Sequence, residues 1–145
     1  MNKGLMLLCV FIALALSKAK GNDSCKILFN KQVIFKGSVD DEAAVASLKV
    51  KKLTNKDCLT IRYNTENASK GWERTFYING PEERNLKTIT LAKQSGSVSV
   101  KASVLNEMKE KKLPVFIYTT SLPTDKTMAA RIRVRRMFIC KIEWN

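Results

Sequence analysis

The stretch Leu59-Thr60-Ile61-Arg62-Tyr63 alternates apolar and polar side chains along five residues. Successive side chains of a strand point to opposite faces, so this period of two is typical of a strand with one buried and one solvated face. Cys58 precedes the stretch and shares the parity of Thr60 and Arg62, the more polar side. We therefore predict a half-buried strand here.

Short β-rich runs of the same kind, separated by polar turns, recur along the chain at residues 26–29, 32–36, 75–78, 86–91, 97–101, 115–120 and 130–134. Asn30-Lys31 between the first two runs predicts a hairpin. Residues 103–111 differ, because Leu105 and Met108 have helical spacing and Pro114 follows them, so we predict one short helix. This pattern predicts a mainly β fold, a two-layer antiparallel β-sandwich of about eight strands with one or two short helices. A small β-barrel is the alternative.

The N-terminus has the pattern of an export signal. Lys3 precedes twelve unbroken apolar residues at 5–16, and the small residues Ser17, Ala19 and Gly21 follow. The apolar run is too short to span a bilayer, which needs about 20 residues. We predict a signal peptide at residues 1–21, cleaved after Ala19 or Gly21, and a single β-sandwich domain at residues 22–145. The expected address is secreted, periplasmic or extracellular, with no integral membrane span after signal removal.

The chain carries 26 Lys and Arg against 13 Asp and Glu, and it has no His. The absence of His excludes Ser or Cys triads built on imidazole and His-ligated zinc. The acidic clusters, Asp40-Asp41-Glu42 and Glu82-Glu83, lie in polar turns where carboxylates usually face water. We therefore expect no enzyme, no catalytic residue, no cofactor and no metal site.

The basic residues are the strongest compositional signal. Arg131, Arg133 and Arg135 are two residues apart, so a strand at 130–134 would place them on one face, and Arg136 adds a fourth charge. Such a row suits a polyanion, and these four arginines are the candidate anion-binding residues. The alternative is a solvated outer face whose arginine stems cover neighbouring strands.

Three cysteines remain after signal removal. Cys25 and Cys140 lie on apolar strand parities near the two ends of the exported chain, whereas Cys58 lies on a polar parity. Chain ends often meet in a domain, and an exported protein is exposed to oxidants. We predict a Cys25–Cys140 disulfide, and the sequence leaves other pairings and the absence of a bridge open.

The segments Lys70-Gly71-Trp72-Glu73-Arg74-Thr75 and Ser121-Leu122-Pro123-Thr124-Asp125, followed by the arginine run and Cys140, resemble uncharacterised small secreted proteins of Bacteroidetes-type bacteria. The resemblance covers about half of the exported chain. It implies a bacterial source and an envelope or extracellular address, and it carries over no site and no activity.

The sequence therefore predicts an exported, non-enzymatic binding module for an anionic envelope polymer or an envelope protein. One alternative is a structural or assembly module without a ligand, whose positive charge serves solubility. A second is a small hydrolase with a carboxylate pair, which requires two carboxylates converging across one cleft.

Overall fold

The computed structural model describes residues 23–145, and the predicted signal peptide lies outside them. Nine strands form two sheets in the described part of the chain. Their bounds are β1 Ser24–Phe29, β2 Gln32–Ser38, β3 Val45–Leu48, β4 Cys58–Asn64, β5 Trp72–Asn79, β6 Asn85–Leu91, β7 Gly96–Lys101, β8 Val115–Pro123 and β9 Met137–Trp144.

The four-stranded sheet has the order β2-β1-β4-β7, and the five-stranded sheet has the order β3-β9-β8-β5-β6. Neither sheet closes into a barrel, so the sandwich prediction is confirmed and the barrel alternative is not. The pairing is antiparallel with one difference from the expected pattern, because β3 runs parallel to β9.

The predicted hairpin is confirmed as β1 and β2. Asn30 and Lys31 have φ values of 48° and 70°, the positive φ pair that a two-residue hairpin turn requires. The Asn30 side chain also ties this turn to the loop before β4, because its Nδ2 donates to Asp57 Oδ1 at 2.8 Å and its Oδ1 accepts from the Cys58 amide at 2.8 Å. These contacts fix β4 beside β1.

The core lies between the inner faces of the sheets, as the strand alternation predicts. Ile27 and Ile61 of the first sheet are fully buried, and so are Phe76, Ile117 and Ile142 of the second. Burial of side chains of this size stabilises the fold by roughly 1.5–3 kcal/mol each. The alternate residues of β1 and β4 are therefore left on the outer face.

The helix predicted at residues 103–111 is confirmed as a 3₁₀ turn, Ala102–Leu105, followed by α1, Asn106–Glu110. Leu105 and Met108 are buried against the core. A Cβ at Gly80 would lie 2.8 Å from the Met108 sulfur, so glycine at this position leaves room for Met108. The helical segment thereby packs against the end of β5.

The strand predicted at residues 130–134 is wrong. Residues Lys126–Arg131 form a second helix, α2, and residues 132–136 are an irregular connection to β9. The Asp125 side chain accepts a hydrogen bond at 2.9 Å from the Met128 amide, which is the contact of a helix N-cap. This cap and the alanines that follow it override the alternation of arginine and apolar residues.

Candidate anion-binding face

The four arginines predicted to bind an anion do not form a row. Arg131 is the last residue of α2, while Arg133, Arg135 and Arg136 lie in the irregular connection. All four are exposed. Because the segment is not a strand, the predicted two-residue spacing on a common face is absent.

Two of these arginines are already paired with carboxylates. Arg135 forms an ion pair with Asp40. Arg136 donates to both carboxylate oxygens of Glu83, at 3.1 and 2.5 Å, and its guanidinium lies 4.2 Å from the ring centroid of Tyr118. The hydrogen bonds from Arg136 hold the pKa of Glu83 below its usual range. These two cations tie the chain before β9 to neighbouring turns and are poorly placed to capture an external anion.

A different group of cations meets on the outer face of the four-stranded sheet. Lys26 of β1 is the direct cross-strand partner of Lys36 on β2 and of Arg62 on β4. All three residues are exposed. We call these three residues the basic row, and the outer face that carries them the basic face.

The basic row has no acidic counterpart in its sheet. The strands β1, β2, β4 and β7 contain no Asp or Glu, and their cations are Lys26, Lys36, Arg62 and Lys101. The ion pairs between described residues all lie outside these strands. Like charges directly opposite one another destabilise a sheet. The basic row therefore works against folding unless an anion lies against it.

A hollow of about 190 Å³ adjoins the basic row between β1 and β4. Ser24 and Asn64 are direct cross-strand partners, as are Lys26 and Arg62, and these four residues line the hollow together with the pair between them, Cys25 and Tyr63. None of the four side chains has a hydrogen bond or ion pair with another residue in 23–145. The hollow thus collects four free polar groups, two of them cationic.

Among residues 23–145, Arg74 is the one buried cation, and it serves the fold. Arg74 is 3 % exposed, donates to the Gln94 carbonyl at 2.7 Å and to Thr119 Oγ1 at 3.2 Å, and lies 3.8 Å from the ring centroid of Tyr63. The Tyr63 hydroxyl donates to Asp23 at 2.5 Å. Burial lowers the pKa of Arg74 and raises that of Tyr63. Each group has a protein partner, so the cluster joins the two sheets.

The three described cysteines are free thiols. Burial raises the pKa of Cys25 to about 12 and raises that of Cys140 as well, with a further rise in Cys140 from the charge of Cys25. Both thiols therefore stay protonated near neutral pH. The predicted Cys25–Cys140 bridge is not formed in the structure and stays a prediction for the oxidised protein.

The acidic clusters take part in local structure. Asp40 pairs with Arg135, Asp41 accepts from the Ala43 amide at 3.0 Å, and Glu83 pairs with Arg136. Within residues 23–145, no three Asp, Glu or Cys side chains are grouped so as to hold a metal ion. No helix in the same range has the length and apolar character needed to cross a bilayer.

Comparison with known proteins identifies no family model that matches the chain and no curated protein similar to it in sequence. The sequence placed Arg62 on the more polar side of its strand, but the meeting of Lys26, Lys36 and Arg62 depends on strand register. The one local signal for the basic row is that each residue occupies a polar position in a strand without acids.

Proposed function

We propose that the protein is an exported, non-enzymatic module that binds an anionic polymer of the cell envelope through the basic face. The observation that carries this proposal is the basic row, in which Lys26 is the cross-strand partner of both Lys36 and Arg62 and the strands of the sheet contain no acids. Export is proposed from the signal-peptide pattern of residues 1–21.

The electrostatics favour a polymer over a single small ion. Strands in a sheet lie about 4.7–4.9 Å apart, so the basic row presents cations at short, regular intervals across three strands. Lys101 of β7 adds a cation farther along the sheet, where it is paired with Cys58 rather than with Arg62. A chain with repeated negative groups would contact several of these cations together and release the counterions condensed on it. Binding through this face would therefore weaken steeply as salt rises.

The first test compares two triple variants that lose the same charge. Lys26→Gln/Lys36→Gln/Arg62→Gln neutralises the basic row, and Lys126→Gln/Arg131→Gln/Arg133→Gln removes three exposed cations of α2 and the connection after it. Affinity for heparin and for DNA, used as generic polyanions, is measured over a salt series. We expect the first variant to lose most of its affinity and to flatten the slope of log K against log salt by about 3, since each lost contact removes about one released counterion.

The second variant is the matched control and should bind nearly as the native protein does. Equal losses in the two variants would mean that total charge, and not the basic face, attracts the polymer. If the native protein binds neither polyanion, the proposal fails, and the assembly role or an envelope-protein partner becomes the better reading. Circular dichroism and thermal unfolding establish that each variant is folded.

A further inference from the structure

The hollow lined by Ser24, Lys26, Arg62 and Asn64 has the features of a specific subsite within the basic face. We propose that it binds one tetrahedral oxyanion, a phosphate or sulfate group carried by the polymer. This inference rests on the proposed function and adds the chemical class of the ligand.

The four side chains stand at the corners of a small rectangle. Ser24 and Lys26 are two residues apart on β1, and their partners Asn64 and Arg62 are two residues apart on β4. Positions two residues apart on one face of a strand are separated by about 6.6–6.8 Å, and adjacent strands by about 4.7–4.9 Å. A ligand seated between the corners is therefore within reach of groups on all sides.

Every corner is able to donate hydrogen bonds. Lys26 offers three N–H donors, Arg62 a planar fork, Asn64 an amide and Ser24 a hydroxyl. These donors are free of partners in residues 23–145, and both cations lack an ion pair there. A site of unused donors with two positive charges suits an anion that carries only acceptors.

The placement of donors around the hollow favours a tetrahedral anion over a carboxylate. The two oxygens of a carboxylate lie in one plane, and Arg62 alone can satisfy both of them through two parallel N–H···O bonds. The oxygens of a phosphate or sulfate group point in several directions, so different corners are able to reach different oxygens. The volume of about 190 Å³ is below the roughly 300–1,000 Å³ of sites for drug-sized ligands, so the hollow has room for a small group only.

The test compares polymers that differ in the geometry of their charged groups. Polyphosphate, dextran sulfate and poly-L-glutamate are titrated at matched concentrations of charge and at one ionic strength. We expect the native protein to prefer polyphosphate or dextran sulfate over polyglutamate by about fivefold to tenfold. The comparison of the first two polymers identifies whether phosphate or sulfate is the better ligand.

The variant Ser24→Ala/Asn64→Ala keeps every charge of the basic face and removes two of the uncharged hydrogen-bond donors that line the hollow. It should retain salt-dependent binding to all three polymers but lose the preference for tetrahedral anions. Ser38→Ala/Ser97→Ala alters the same face outside the hollow and should keep the preference. Ser24 and Asn64 are exposed, and unchanged thermal unfolding would verify that the fold is intact.

The outcomes separate the two proposals. If the native protein binds polyglutamate as tightly as the other polymers, the subsite is refuted and the polyanion function stands. If the preference exists but survives Ser24→Ala/Asn64→Ala, the hollow is not its source. If none of the three polymers binds, the proposed function itself fails.

Discussion

Lys26 is the central residue of the basic row, with Lys36 on one side and Arg62 on the other. A cation between two cations raises the energy of the folded state, because like charges that face each other across strands repel. The same arrangement concentrates positive potential where a polyanion would bind. Folding and binding therefore place opposite demands on this one side chain.

We predict that Lys26→Glu stabilises the fold and weakens binding. Each cross-strand charge pair contributes roughly 0.2–1 kcal/mol, so replacing two repulsive pairs by two attractive ones should raise the free energy of unfolding by about 1 kcal/mol. Urea unfolding at low salt measures the gain, which should shrink at high salt because surface charges are screened. Heparin affinity should fall in the same variant.

Lys93→Glu makes the same charge change at an exposed loop position outside the basic row. Compared with Lys26→Glu, it should change the free energy of unfolding and the heparin affinity much less. A Lys26→Glu protein that is less stable than the native one at low salt would contradict the repulsion that we assign to this row.

At the scale of elements, the two short helices are stabilised by side-chain contacts at or beyond their ends. α2 begins at the Asp125 cap, and α1 carries an ion-pair cluster in which Glu107 accepts from Arg84 at 2.8 and 2.6 Å and from Lys111 at 2.8 Å. Arg84 follows the turn after β5, so this cluster connects α1 to that turn. Helices this short need such tertiary contacts, because isolated helices of a few turns are marginal in water.

The Glu107 cluster predicts a pH dependence of stability. Hydrogen bonds from Arg84 and then Lys111 lower the pKa of Glu107 from 4.5 to about 2. A carboxyl with a depressed folded-state pKa stabilises the fold above its unfolded-state pKa, and this contribution is lost as the pH falls towards the folded-state value. Glu107→Gln should therefore lower the Tm at pH 7, and the difference from the native protein should close between about pH 4.5 and 2.

Glu110→Gln provides the control, since Glu110 is an exposed residue at the end of the same helix. Its Tm should follow that of the native protein over the whole range. A difference between the Glu107→Gln and native proteins that stays constant down to pH 2 would show that the cluster acts through packing and not through charge.

At the scale of the whole molecule, Cys25 and Cys140 are buried residues of different sheets, on β1 and β9. The backbone amides of Val39 and Asp40 donate to the carbonyls of Asp23 and Phe138, at 3.1 and 2.8 Å. Asp23 and Phe138 lie two residues before the two cysteines, so these bonds hold the starts of β1 and β9 together. A bridge between the thiols would join the two sheets and both ends of the described chain.

We predict that protein recovered from an oxidising compartment contains the Cys25–Cys140 disulfide. Closing a loop of this length stabilises a protein by roughly 4–5 kcal/mol in the chain-entropy model, so reduction should lower the Tm markedly. Non-reducing peptide mapping measures the pairing directly. Cys58→Ser should retain the bridge, and alkylation of both Cys25 and Cys140 in denatured, unreduced protein would contradict it.

The sequence by itself determined the strands that can be identified from neighbouring residues, through alternation of apolar and polar side chains or through a turn. Alternation places Ile61 and Arg62 on opposite faces with no knowledge of their neighbours, and the Asn30-Lys31 turn identifies a hairpin from two residues. The same rule misassigned residues 130–134, because a five-residue alternation is too short to outweigh a helix cap at Asp125. Local periodicity was thus sufficient for the fold class but not for every element.

Only the tertiary structure decided where the candidate site lies. Lys26, Lys36 and Arg62 are separated along the chain, and the hydrogen-bond register of β1 with β2 and β4 makes them neighbours. Arg135 and Arg136 are adjacent in sequence, yet each is paired with a carboxylate from a distant turn. Charge is a property of single residues and can be counted in a sequence. Whether charges reinforce or neutralise one another depends on distances through space, which strand register and loop packing set.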